Sequence, residues 1–267
     1  MPKRLGVLRD AYVRPLIDGL HSGRTNTEPI FEVLESPTQG TEGLVNWLRQ
    51  RTVDGAFLSP IDYAREYTNY WILPHAGVVS RAPSGIIELV FNQQIHDIRK
   101  IAVRSGITSE AVLVQLVLKE KYGSVPDVVR TDAPVESALE QTDAILLVGD
   151  EALRREELSN KIDIVDEWID ITELPYVHGF WVTRENFLAS SDVRRLTANF
   201  AGQKAWTSPP SVDGRVPVMA YAMDENAVDG LTEFIRLAYY HGLLNDIPDL
   251  RFLRDGGTTV QEFHTRN

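Results

Sequence analysis

The feature that most constrains this chain is its rhythm, in which short apolar runs alternate with stretches of helical spacing through more than half its length. Lys3–Leu8, Phe31–Leu34, Gly55–Leu58 and Trp71–Val79 read as strands. Between them lie helical patterns at Val13–His21, ended near Gly23, at Thr41–Gln50, and from Pro60 through Tyr67. Ser59 followed by Pro60 suits the opening of that last helix, because a cap residue precedes a proline whose missing N–H costs nothing there. Strand–helix–strand alternation of this kind predicts a parallel sheet with helices on both faces.

The middle of the chain repeats the rhythm. Ile86–Phe91, Lys100–Val103, Val125–Val129 and Ala144–Val148 read as strands, and Val135–Gln141 and Glu151–Leu158 as helices. Ser109–Tyr122 is the clearest helix: Thr108 or Ser109 can cap it and Gly123 ends it. The last third has a short aromatic strand, Gly179–Thr183, helices at Ser191–Ala201 and Ala227–Gly242, and a Pro/Ser/Gly-rich loop, Gly202–Arg215. Two successive α/β units predict two lobes, residues 1–84 plus 181–267 in one and 85–180 in the other, joined by a double crossover that serves as a hinge.

Composition removes several kinds of function. With no cysteine, there is no disulfide, thiolate nucleophile or cysteine metal site. The net charge is −11 with its 27 basic residues scattered, so no basic patch for nucleic acid is visible. The basic start lacks an apolar core, and no stretch approaches the roughly 20 apolar residues that span a bilayer, so the chain reads as cytoplasmic and unattached to membrane. The histidines (His21, His75, His96, His178, His241 and His264) have no metal-ligand spacing and read as structural or exposed. Dinucleotide, P-loop and hydrolase glycine motifs are missing, which argues against those three chemistries.

In open α/β sheets, ligands bind beyond the carboxyl ends of the strands. Residues just after the expected strands include Arg9, Asp10, Tyr12 and Arg14; Ser59; Ser80 and Ser84; Ser105, Gly106, Thr108 and Ser109; and Gly149 and Asp150. Hydroxyls, glycines and arginines suit a carboxylate or phosphate, and the segment from Arg104 to Ser109 could cradle an anion at a helix N-terminus. The same segment reads more readily as an ordinary capping loop, and Asp150 could equally cap the helix that follows it. Asp163, Asp166, Glu167 and Asp170 read as a solvated face, and Trp181 as core or hinge packing. Gly202–Arg215 and Ala227–Gly242 could mediate a homodimer or pack on the first lobe.

Several segments carry a resemblance. Val53-Asp-Gly-Ala-Phe-Leu-Ser-Pro-Ile-Asp-Tyr-Ala64, Leu118-Lys-Glu-Lys-Tyr-Gly123, Thr142-Asp-Ala-Ile-Leu-Leu-Val-Gly-Asp-Glu-Ala-Leu-Arg154 and Leu174-Pro-Tyr-Val-His-Gly-Phe-Trp-Val182 resemble the chorismate dehydratase family of the futalosine route to menaquinone. That resemblance implies a two-lobed type II periplasmic-binding-protein fold. It also implies loss of water from chorismate to give 3-[(1-carboxyvinyl)oxy]benzoate, without a cofactor. Ser80 then matches a serine near the reacting ring, Ser105, Thr108 and Ser109 the carboxylate-binding loop, and Gly149 and Asp150 the opposite wall. Arg14, Ser59, Ser84 and Gly106, from the positions after the strands, complete the expected binding set. The family's first loop reads Tyr-Leu-Asn, two residues, then Pro; aligned on Pro15, its Asn falls on Tyr12. Tyr12 and Ser80 are therefore the implied catalytic positions. Two functions stay open, a lyase of this type and a non-enzymatic binder of a small aromatic or dicarboxylic acid. The sister enzyme acting on a cyclic futalosine derivative fits the segment around Ser59 less well.

Overall fold

A computed structural model describes residues 3–21, 31–92, 94–155, 160–184, 187–201, 212 and 219–253. The first unit contains β1 (Lys3–Val7), α1 (Arg14–His21), β2 (Phe31–Glu35), α2 (Glu42–Arg49), β3 (Gly55–Leu58), α3 (Pro60–Glu66) and β4 (Trp71–Ser80). The chain then builds β5 (Ile87–Phe91), β6 (Lys100–Val103), α4 (Ser109–Tyr122), β7 (Asp127–Arg130), α5 (Val135–Leu139), β8 (Ala144–Val148), α6 (Asp150–Leu153), β9 (Lys161–Asp163) and α7 (Ile164–Thr172). It returns through β10 (Tyr176–Thr183), α8 (Ser190–Ala201), β11 (Ala220–Ala222) and α9 (Glu225–Tyr240). No described helix is long and apolar enough to cross a membrane.

One sheet runs β11-β4-β10-β3-β1-β2 and the other β7-β6-β8-β5-β9. The expected parallel sheet is mixed. Strands β2, β1 and β3 are parallel, but β10 lies antiparallel between β3 and β4. The cause is the route of the chain. Strand β4 leaves the first sheet at Ser80, the second sheet is built, and the chain comes back running the opposite way. Residues 176–180, counted with the second lobe on sequence, therefore pair in the first sheet, with Tyr176 opposite Ser80 and Phe180 opposite Gly77. Every residue of β10 is buried, so it reads as a continuous apolar run rather than an alternating one.

Local chemistry moves some boundaries. Pro126 has no N–H for a ladder and Val125 is exposed, so β7 starts at Asp127, whose amide donates to Arg99 O. The strand–helix pair β9–α7 was not expected, because its acidic residues masked the apolar stripe Ile164, Val165 and Trp168. Asp163 is not on a solvated face. It caps α7 through Val165 N at 2.8 Å and also accepts from Gly85 N at 2.6 Å, tying the crossover to the second sheet. Asp166 and Asp170 do face solvent, while Glu167 pairs with Lys121 at 2.7 Å. The loop expected at Gly202–Arg215 lies outside the described residues except for Val212, as do residues 156–158 of the helix expected through Leu158.

A continuous apolar core links the two sheets, running from Leu5 and Phe57 through Phe180 and Trp168 to Leu113 and Val148. Trp181 belongs to this packing, edge-on to Phe57 at 5.7 Å between ring centroids. Gly179 lets β10 cross that ring: a Cβ there would stand 2.5 Å from Phe57 Cζ and 2.7 Å from Leu58 O. Gly179→Ala is therefore expected to cost about 1–3 kcal/mol, read as a lower denaturation midpoint. An unchanged midpoint would show that the strand crossing has slack.

Candidate functional site

The carboxyl ends of β1, β3 and β8 converge on a cavity between the two sheets. Leu8, Asp10 and Tyr12 follow β1, Phe57 lies in β3, Val148 ends β8, and His178 projects from β10. Gln39, Gly40 and Thr41 lead into α2, while Ile107 and Glu110 flank the start of α4. The starts of two helices thus face one space. Its free volume is about 10 Å³, room for roughly one water molecule. An organic acid of any size can enter only if the lobes separate.

The hydroxyls that were expected to hold a ligand hold the two lobes together. The buried carboxylate of Asp62 accepts from Thr41, from Ser59 Oγ at 3.0 Å and from Thr108 Oγ1 at 2.7 Å. Thr108 comes from the second sheet's side of the cleft and the other three from the first. Burial alone pushes the Asp62 pKa up, and these three donors oppose that shift. Ser109 Oγ accepts from Ile61 N at 2.8 Å, so neither Thr108 nor Ser109 caps its own helix with its side chain. At the opposite end, Asp150 Oδ1 accepts from Ala11 N at 2.9 Å and Asp10 Oδ1 accepts from Asp150 N at 3.1 Å. Gly149, not Asp150, occupies the cap position of α6, with φ at +64°. A Cβ on Gly149 would sit 2.1 Å from Asp10 Oδ1, so glycine serves both the conformation and the close approach.

The remaining sequence candidates are dispersed. Gly106 meets the first lobe directly, since a Cβ there would stand 2.4 Å from Gln39 O. Ser105 is exposed and bonds Asp132 Oδ2 at 2.9 Å, away from the cavity. Arg14 is exposed and pairs with Glu35 at 3.2 Å. Ser84 lies at the crossover against Asp163. Ser80 is buried, with Oγ 2.8 Å from Nε2 of His178, which lines the cavity. Tyr12 is buried, lines the cavity, and lies 6.1 Å from His178 between ring centroids.

These features can be set beside known proteins. The menaquinone biosynthesis family matches residues 3–208. The chain belongs to that family. AF1704 from Archaeoglobus fulgidus shares 17% identity over 90% of this chain and 98% of its own, with a TM-score of 0.64. The ligand-binding component of an ABC-type import system from Staphylococcus aureus shares 12% identity over 95% and 96%, also at 0.64. The periplasmic aliphatic sulphonate binding protein SsuA from Escherichia coli shares 14% over 100% and 96%, at 0.59. At these identities the three neighbours establish the fold alone, the two-lobed periplasmic-binding-protein type.

For this member of the menaquinone biosynthesis family, the cavity's charge is the feature sequence reasoning missed. Glu110 is buried on the cavity wall. Burial raises its pKa to about 7, with Asp62 and Asp10 adding to the shift and Arg130 opposing it. Asp10 is raised to about 6, again first by burial, with the nearby Asp150 charge contributing. Burial also lowers His178 to about 3, leaving a neutral imidazole, and raises the Tyr12 phenol well above its ordinary value. The sequence held little signal for Glu110, since an acid in a helix's first turn is commonplace. His178 was lost among scattered histidines.

Raised carboxyl pKa values carry a sign. Closure that buries Glu110 and Asp10 takes up protons, so the closed form is favoured below the ordinary carboxyl range. That advantage fades as pH rises and is gone above about 7 for Glu110 and about 6 for Asp10. The ligand-free protein should contract as pH falls from 8 toward 5, measured by small-angle scattering. Glu110→Gln should stay compact across the upper part of that range. A radius of gyration independent of pH in the wild type would contradict this coupling.

Proposed function

We propose that this chain is a chorismate-dehydratase-like lyase acting in menaquinone biosynthesis in the cytoplasm, converting chorismate to 3-[(1-carboxyvinyl)oxy]benzoate. The single observation that carries the reading is the cavity itself, which gathers Tyr12, His178 and Glu110 around one space beside the starts of two helices. Membership of the menaquinone biosynthesis family supports it. The substrate's carboxylates would take the amides opening α2 and α4, where the helix ends favour negative charge. Closure excludes water and fixes the ring against the wall, which shortens the reach to the breaking bonds. Ser80 acts as a positioning residue, orienting His178, and the Tyr12 phenol stays neutral and able to donate.

A non-enzymatic binder of a small aromatic or dicarboxylic acid is the second reading. The observation favouring it is Tyr12 at the family's asparagine position, where one hydroxyl replaces an amide that both donates and accepts. Purified protein mixed with chorismate separates the two. Loss of diene absorbance with enolpyruvyl-benzoate in the mass spectrum establishes the lyase. Heat of binding with no product above the uncatalysed background establishes the binder.

The structure also ranks two loop residues. Thr108→Val removes a bond to the Asp62 carboxylate that links the lobes, and hydrogen bonds to charged groups contribute about 1.5–3 kcal/mol. Chorismate affinity should fall roughly 10-fold or more in that variant and stay unchanged in Ser105→Ala. Equal effects of the two substitutions in a calorimetric titration would remove the assignment.

A further inference from the structure

The proposed elimination needs a base for a ring proton and an acid for a departing hydroxyl. In chorismate the ether and the hydroxyl are trans on adjacent carbons. The hydrogen on the ether-bearing carbon and the hydroxyl therefore lie on the same face of the ring. One protein group on that face can serve both needs. Most titratable side chains on the cavity wall are already engaged. Asp10 Oδ1 accepts from Asp150 N at 3.1 Å, and His178 Nε2 is 2.8 Å from Ser80 Oγ. Tyr12 offers a phenol whose burial holds it protonated. Glu110 differs: it stands in the first turn of α4 on the cavity wall, and among the described residues the donor directed at its carboxyl is its own backbone N–H.

We propose that Glu110 is the catalytic proton shuttle of this reaction, taking the ring proton as a carboxylate and returning it to the hydroxyl that leaves from the same face. This deepens the lyase reading and rests on it. The step balances. The C–H electron pair becomes the new ring π bond and the proton moves to a Glu110 oxygen. The C–O bond breaks with its pair on oxygen, which takes that proton and leaves as water. Glu110 ends as the carboxylate it began as, the ring becomes aromatic, and nothing is oxidised or reduced overall. A carboxyl raised by burial to about 7 suits a group that must first accept and then give a proton near neutral pH. The groups facing it from the packed elements are Asp10 and Tyr12 after β1, Asp62 on α3, Tyr176 and His178 on β10, and Arg130 at the end of β7.

Because the carboxylate form starts the reaction, kcat for chorismate should rise with pH through an inflection at or above about 7. Glu110→Gln should lower kcat by about 10²–10⁴-fold, the usual contribution of general acid–base catalysis, with KM shifted only a few-fold. The variant's residual rate should lose the inflection. Added acetate or formate should restore part of the rate to Glu110→Ala, a response that only a folded protein with an empty carboxylate position can give. A wild type with no turnover of chorismate would overturn the lyase reading itself, and this proposal with it. An active wild type whose kcat lacks the inflection, or a Glu110→Gln variant within three-fold of wild type, would overturn the shuttle alone.

Discussion

The antiparallel pairing of β10 with β4 is the constraint on which the rest of the structure depends. A chain that leaves one sheet to build another must come back, and here it returns alongside the strand by which it left. That pairing sets Tyr176 opposite Ser80, brings His178 within hydrogen-bond reach of Ser80 Oγ, and aims the imidazole at Tyr12. The same two strands form the walls through which both lobes are joined, so the site and the hinge share their backbone. Their aromatic neighbours keep that region rigid: Tyr63 packs edge-on to Phe180 at 5.4 Å and Trp168 to Phe234 at 5.8 Å.

Closure concentrates acid rather than base. Asp10, Asp62, Glu110 and Asp150 approach one another across the cleft, and the first three have raised pKa values because burial outweighs every favourable bond they make. The hydroxyls answer a different demand. Ser59, Thr41 and Thr108 satisfy Asp62, whose burial without them would be far more costly. A loop that looked like a ligand cradle is thus mainly a fastener between lobes.

Much of the architecture was legible in the chain. Gly55–Leu58, Lys100–Val103, Ala144–Val148 and Ser109–Tyr122 were read with the bounds they have in the fold, because each couples an apolar run to a strong local stop. The cap at Ser59 was readable for the same reason: it is settled within three residues. The strand–helix pair β9–α7 was not, since its acids suggested solvent until Gly85 claimed Asp163. Of the residues singled out, Tyr12 lines the cavity and Gly149 and Asp150 meet the segment after β1, while Arg14, Ser84 and Ser105 face elsewhere.

What the sequence determined by itself is what local physics decides: the alternation of elements, their caps and stops, and the segments that carry membership of the menaquinone biosynthesis family. What only the tertiary structure decided is which side chains face one another across the cleft. Periodicity gives a residue's face on its own element, but not the partner that element meets after the chain has crossed twice. Glu110 is an ordinary first-turn acid until folding seals it beside Asp10 and Asp62. His178 is one scattered histidine until β10 lies against β4. Desolvation, which shifts these groups, depends on the whole closed shape and has no local sign in the chain.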